Sequence, residues 1–167
     1  MTRVVVLLGP PGSGKTAIGE ALSRGGLRWR NWELEILERW GTRDEFVRNK
    51  ATALPALHDE IRSWIAAADV PAVFETTGLS DAALLDELDA AGDALIVRLD
   101  VPEEVAVTRV MQREPGRHLT DDPDRNRSTW QAFHTGAAAD RRCDLAIDTT
   151  TLSPASAAAR IEAALPS

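Results

Sequence analysis

Five consecutive apolar residues, Val4-Val5-Val6-Leu7-Leu8, run straight into Gly9-Pro10-Pro11-Gly12-Ser13-Gly14-Lys15-Thr16. An apolar run this short, ended by turn residues, predicts a strand covered on both faces. Residues 17–23 read as the helix that follows, broken by Gly25-Gly26. The same alternation continues along the chain. Residues 27–32 predict a short second strand. Residues 33–40 predict a helix with Leu34, Ile36, Leu37 and Trp40 as its apolar positions, closed by Gly41. A helical stretch over 44–50 meets Pro55, which either interrupts it or opens the next helix. Leu57, Ile61, Trp64 and Ile65 carry helical spacing over 56–68. Residues 71–75 predict a strand ending in an acid, Glu75, with 76–79 as a loop and 81–91 as a helix capped by Ser80. Residues 94–99 form a fourth strand, and Pro102 opens a helix to about 113. A polar stretch over 114–127 precedes a weakly helical 128–139. Residues 144–148 predict a fifth strand. Ser153 caps a last helix to 165, with Pro154 at its first position.

Strands alternating with helices imply a parallel sheet covered on both faces. Right-handed crossovers then gather the loops at the C-terminal strand ends into one crevice. Four segments meet there: residues 9–16, 31–35, 75–78, and the polar stretch after the fourth strand's helix. The 167 residues are expected to form one domain.

The first of these segments fits G-x-x-x-x-G-K-[ST] and lies between a strand and a helix, where its chemistry requires it. Gly9, Gly12 and Gly14, with Pro10, Pro11 and Ser13 between them, let the backbone curl so that successive N–H groups face one anion. The helix N-terminus adds partial positive charge. In this pattern Lys15 reaches the β- and γ-phosphates and the Thr16 hydroxyl ligates Mg²⁺. Only two of the nineteen basic residues are lysine, Lys15 and Lys50. A chain that otherwise uses arginine has put the compact point charge in the loop.

Composition narrows the partners. A net charge of −7 argues against a nucleic-acid footprint spread over the surface, though not against a local basic site. The single cysteine, Cys143, permits no internal disulfide and points to a reducing, cytoplasmic setting. It reads as a small buried residue. The apolar run after Met1-Thr2-Arg3 is too short for a signal segment, and no stretch is apolar enough to span a membrane.

The order of parts resembles the P-loop small-molecule and nucleoside-monophosphate kinases, with shikimate kinase the nearest shape. Asn31-Trp32-Glu33-Leu34-Glu35-Ile36, then Gly41, then Phe46-Val47-Arg48 is similar to shikimate kinase's Asp-x-Asp-x-x-Ile, its following Gly and its Phe-Arg. Arg113-Glu114-Pro115-Gly116-Arg117 resembles the start of an adenylate-kinase lid, and Asp148-Thr149-Thr150-Thr151-Leu152-Ser153-Pro154 the adenine-side loop of these kinases. The resemblance implies a three-layer α/β/α fold, the P-loop NTP hydrolase fold, with a five-stranded parallel sheet in the order 2-3-1-4-5 and a lid over 114–127. It implies ATP and Mg²⁺ as cofactors, and Arg109 and Pro154 at the nucleotide. Three positions depart from shikimate kinase. Asn31 stands for its first aspartate, Glu33 for its substrate-binding aspartate, and Thr76-Thr77-Gly78 for its glycine triplet. The departures leave the acceptor open.

Glu75 ends its strand as a metal-site acid does, and is read either as a holder of Mg²⁺ or the attacking hydroxyl, or as a cap on the next loop. Glu33 is either the base that takes the acceptor's proton or an acid complementing the helix dipole. Arg48 is either an anion clamp or part of a solvated face. Arg117 first, then Arg113, is expected to bring charge to the γ-phosphate on lid closure, with Arg125 and Arg127 in the same stretch. The bland alternative is a salt-bridged loop, since Asp121, Asp122 and Asp124 sit among them. His118 reads as structural, and His58 and His134 show no metal-ligand spacing. Trp29, Trp32 and Trp40 are candidates for an acceptor pocket or for core packing, with Trp32 foremost. The expected activity is an ATP- and Mg²⁺-dependent transfer of phosphate to a small hydroxyl- or phosphate-bearing acceptor. The alternatives are a nucleoside-monophosphate kinase and a nucleotide-binding switch or regulatory ATPase. A nucleic-acid 5′-kinase is disfavoured by the acidic balance.

Overall fold

A computed structural model of the chain describes residues 2–166. Met1, part of the segment read above as too short for a signal, and Ser167 lie outside them. In chain order the elements are β1 (Val4–Leu8), α1 (Lys15–Arg24), β2 (Arg28–Trp29), α2 (Trp32–Trp40), α3 (Arg43–Arg48), α4 (Lys50–Ala66) and β3 (Ala72–Thr76). There follow α5 (Ala82–Ala90), β4 (Ala94–Asp100), α6 (Glu103–Met111), α7 (Pro123–Thr135), α8 (Ala137–Asp140), β5 (Leu145–Asp148) and α9 (Pro154–Ala164). The five strands form one parallel sheet in the order β2-β3-β1-β4-β5. This is the expected α/β architecture and strand order.

The apolar run of β1 is explained by its place. It is the middle strand, paired with β3 on one side and β4 on the other, and all five of its residues are fully buried. Its side chains alternate between two cores, as a strand's must. Val4, Val6 and Leu8 join one with Ile36, Ile61 and Phe74. Val5 and Leu7 join the other with Ile18, Leu22 and Ile161. The first core belongs to the layer of α2–α5, α7 and α8, and the second to α1 and α9. Because β1 is central, its C-terminal end opens at the middle of the crevice. The register sets Leu7 beside Glu75 and Leu8 beside Thr76. The N–H of Gly9 donates to Thr76 O at 3.1 Å, fixing the loop to the end of β3.

Several local expectations need correction. The second strand is only Arg28–Trp29, and Trp32 already belongs to α2, whose N-cap Asn31 accepts from the Leu34 N–H at 3.0 Å. Pro55 neither interrupts a helix nor opens one. It lies inside α4, where one lost backbone bond is offset by burying Ala53, Leu57, Ile61, Trp64 and Ile65. Thr76 belongs to β3 rather than the loop. Ser80 does not cap α5. Asp81 is the N-cap residue, its side chain is turned to other partners, and Ser80 instead accepts from Lys50 Nζ at 2.7 Å. The stretch 114–127 divides. It is irregular only to Asp122, whose carboxylate accepts from the Asp124 and Arg125 N–H groups and starts α7 with Pro123 in its first turn. Arg125 and Arg127 therefore sit on a helix. Cys143 is partly exposed rather than buried.

Candidate active site

The loop after β1 needs its glycines for two separate reasons. Gly12 has φ 80°, and a Cβ there would fall 2.2 Å from the Ala106 carbonyl oxygen, so the loop is packed directly on α6. Gly14 has φ 92° and turns the chain into α1 as its N-cap. Ser13 is fully buried in the turn, and its Oγ has no hydrogen-bond partner. Lys15 Nζ is folded onto its own loop and donates to Gly9 O at 2.8 Å and Pro10 O at 2.9 Å. Desolvation lowers its pKa to about 8, with the Arg113 charge acting in the same direction and those of Glu75 and Glu33 opposing.

Two acids face this lysine. Glu75, at the end of β3, accepts from the Trp29 indole N–H on Oε1 at 2.6 Å and from the Thr16 hydroxyl on Oε2 at 2.9 Å. Burial pushes its carboxyl above the ordinary range and the nearby Glu33 charge adds to this, against the opposing Trp29 and Thr16 hydrogen bonds and the Lys15 charge. Trp29 reaches Glu75 through a slot in α1. A Cβ on Gly19 would lie 2.3 Å from the indole nitrogen. Glu33, in the first turn of α2, accepts from the Leu119 N–H at 2.7 Å, and its second oxygen lies 3.4 Å from His118 Nδ1. Burial would raise its carboxyl. The hydrogen bonds from His118 and Leu119, with the charges of His118 and Lys15, outweigh it and hold the pKa below the ordinary value.

Two cavities flank the loop. One, of about 190 Å³, is walled by Pro11, Lys15 and Thr16 on the loop side, and by Glu33, Glu75 and Arg113 beside them. Its body is apolar, with Trp32, Ile36, Phe46, Leu57, Ile61 and Phe74 in its wall, and Thr76, Thr77, Ser80 and Asp81 add polar groups. The other, of about 310 Å³, is walled by Gly14, Ala17, Ile18, Arg109, Leu152 and Pro154. Arg109 ties its two sides together, donating to Gly12 O at 3.3 Å and to Thr149 Oγ1 and O at 3.0 and 2.7 Å.

The structure thus brings Lys15, Thr16, Glu33, Glu75, Trp32 and Arg113 to one cavity, and Arg109 and Pro154 to the other. Several sequence candidates lie elsewhere. Arg48 is exposed at the end of α3 and forms no part of either wall. Arg117 is 59% exposed and pairs with Glu114 at 3.2 Å, so Arg113 precedes it as the arginine at the site. Gly78 does not line the cavity. It packs where a Cβ would lie 2.9 Å from Leu8 Cδ1. Arg125 pairs with Asp44, and Arg127 with Glu103, Glu104 and Asp124. Trp40 packs on Phe46. Sequence reasoning missed Asp81, which accepts from Thr76 Oγ1 and from His58 Nε2, the latter at 2.7 Å. In the sequence it reads only as the first residue of the helix over 81–91, with Ser80 as the cap.

Among the described residues no group of three or more His, Cys, Asp or Glu is arranged to hold a metal ion, and no helix is long and apolar enough to cross a membrane. Neither a protein-family model nor a curated protein matches the sequence. Solved structures do match the fold. Shikimate kinase from Acinetobacter baumannii in complex with shikimate superimposes with TM-score 0.71 at 18% identity, over 97% of this chain and 92% of that one. A gluconokinase from Sinorhizobium meliloti 1021 gives 0.58 at 21%, over 95% and 92%. Deoxyadenosine kinase from M. mycoides with bound dATP gives 0.62 at 13%, over 98% of each. The chain has the fold these P-loop kinases share.

Proposed function

We propose that the protein is an ATP- and Mg²⁺-dependent phosphotransferase that moves the γ-phosphate to a hydroxyl of a small acceptor. One observation carries this reading: neighbouring residues of the phosphate-binding loop and the first turn of α1 wall both cavities, Pro11, Lys15 and Thr16 the one, Gly14, Ala17 and Ile18 the other. A nucleotide whose base occupies the Arg109–Pro154 side and whose phosphates lie in the loop presents its last phosphate to the apolar cavity. The fold shared with kinases of three different small molecules supports the same class of reaction.

In this reading the backbone N–H groups of the loop and Lys15 hold the phosphates. Lys15 leaves the carbonyls of Gly9 and Pro10 to do so, and gains a stronger partner. Glu33, kept ionised by its surroundings, accepts the acceptor's hydroxyl proton as the new O–P bond forms and the bond to the β-phosphate oxygen breaks, releasing ADP. Arg113, whose guanidinium has no hydrogen-bond or ion-pair partner among the described residues, adds its charge on the same side as Lys15. The Thr16 hydroxyl and Glu75 carboxylate, 2.9 Å apart, are hard oxygen donors that suit Mg²⁺ bound through one or two protein groups and the substrate phosphates. When bound, the ion neutralises charge on those phosphates. The apolar wall suits a small alcohol better than a nucleoside monophosphate, whose own phosphate would need cations beyond Arg113.

The test is ADP formation from Mg·ATP with and without a panel of alcohols. Strong stimulation by one acceptor supports the kinase. A slow rate that no acceptor changes selects a regulatory ATPase instead.

A further inference from the structure

The apolar cavity has a charge pattern that selects its ligand. Its volume, about 190 Å³, is somewhat larger than the cavity of about 150 Å³ that accepts benzene. It therefore takes one substituted ring or a branched chain of similar bulk. Five charged side chains reach its wall: Lys15, Arg113, Glu33, Glu75 and Asp81. Lys15 belongs to the phosphate loop and Arg113 lies near enough to feel its charge, so both cations stand on the loop side of the cavity. What remains for the body of the ligand is acidic. Asp81 accepts on both of its oxygens, from Thr76 and from His58, and His58 itself is not part of the wall. Arg30, which stacks on Trp32 with its guanidinium 4.2 Å from the ring centroid, is paired with Glu35 and Glu60. Arg48, the cation expected to clamp an anion, is absent from the wall. Lys50 is not in the wall, but it donates to Ser80, which is, at 2.7 Å from the outer side.

Neutral hydroxyls can donate to the acids of the wall. An anionic group meets Asp81, whose partner His58 stands behind it rather than in the wall.

We propose that the cavity takes a small alcohol with an apolar body and no carboxylate or phosphate of its own, an amine being tolerated or favoured. The proposal rests on the assignment of this cavity as the acceptor site.

The test is a matched series of cyclohexane-1,2-diols carrying a carboxylate, a hydroxymethyl or an aminomethyl group on the ring. Binding to the full-length protein saturated with Mg·ADP is measured by calorimetry, and ADP formation from Mg·ATP is measured in parallel. The hydroxymethyl and aminomethyl compounds are expected to bind about tenfold or more tightly than the carboxylate. Asp81→Asn should remove the advantage of the amine over the neutral compound and relax the penalty on the carboxylate. Should that variant not fold, the native series decides alone. Tighter binding of the carboxylate, or no binding of any member at millimolar concentration, overturns the proposal. If the neutral and amine compounds bind without stimulating ADP formation, the ligand class stands and the phosphotransferase reading falls.

Discussion

Replacing Lys15 by methionine should do two opposite things, and the structure gives both magnitudes. Folding lowers the lysine pKa from 10.5 to about 8, chiefly by desolvation. Below pH 8 the folded protein thus holds a charge its surroundings disfavour, at a cost of up to about 3 kcal/mol. Against this, loss of the two hydrogen bonds to Gly9 O and Pro10 O costs about 1 kcal/mol each, and partial exposure screens the charge. A net gain of about 1 kcal/mol remains for Lys15→Met, or about 2–4 °C in Tm for a domain of this size. The sign with pH follows from proton counting. Between pH 8 and 10.5 the unfolded chain keeps the proton that the folded protein has lost, so the native protein gains stability as pH rises. The advantage of the variant should be full at pH 7 and shrink through pH 9.5. The same substitution removes a charge from the phosphate site and should cost about 10²–10³ in turnover. Thermal unfolding at pH 7, 8.5 and 9.5, beside steady-state kinetics, reads both effects. A variant less stable than the native protein at pH 7, or a difference that does not move with pH, refutes the idea that the loop holds Lys15 under strain for nucleotide.

Glu33→Gln keeps the Leu119 contact but not the proton acceptor, so kcat should fall by about 10²–10⁴ while calorimetric ATP binding stays constant; weakened ATP binding with kcat preserved would make Glu33 a structural acid. Trp29→Phe removes the donor to Glu75 Oε1, which now opposes the upward push of burial. The acid limb of the pH–rate profile should therefore move to higher pH, and an unmoved limb would show that Glu75 ionisation does not control the rate. Arg113→Ala should lower kcat and kcat/KM together, whereas Arg117→Ala, at an exposed ion pair, should change either by less than about twofold; the reverse order would restore the lid role to Arg117.

The sheet was legible because its signals are local. An apolar run before a glycine-rich loop, Gly41 after a helix, and Ser153-Pro154 before another each act within one turn of chain. The Asp122-Pro123 start of α7 was equally local and was passed over because the arginines around it suggested a lid. What the sequence does not carry is pairing at a distance. Trp29 meets Glu75 only because β2 lies beside β3, with Trp29 opposite Val73 and Gly19 leaving space for the indole. Asp81 faces a cavity because His58, on α4, is packed against it. Pro55 stays helical because tertiary burial along α4 outweighs one backbone bond, a balance that propensity alone misjudges. The larger apolar wall beside the loop is of the same kind. Its apolar residues come from the helices α2, α3 and α4 and the strand β3, and no single stretch announces it.

The most direct measurement is a single turnover of γ-labelled ATP by the native protein with Mg²⁺ and the neutral and amine diols. Transfer to an alcohol requires the label to appear in a phosphate monoester, with one ADP formed for each, and to do so only when the diol is present. Label released solely as inorganic phosphate, at a rate that no alcohol changes, would contradict the assignment of this fold and its two cavities to phosphoryl transfer.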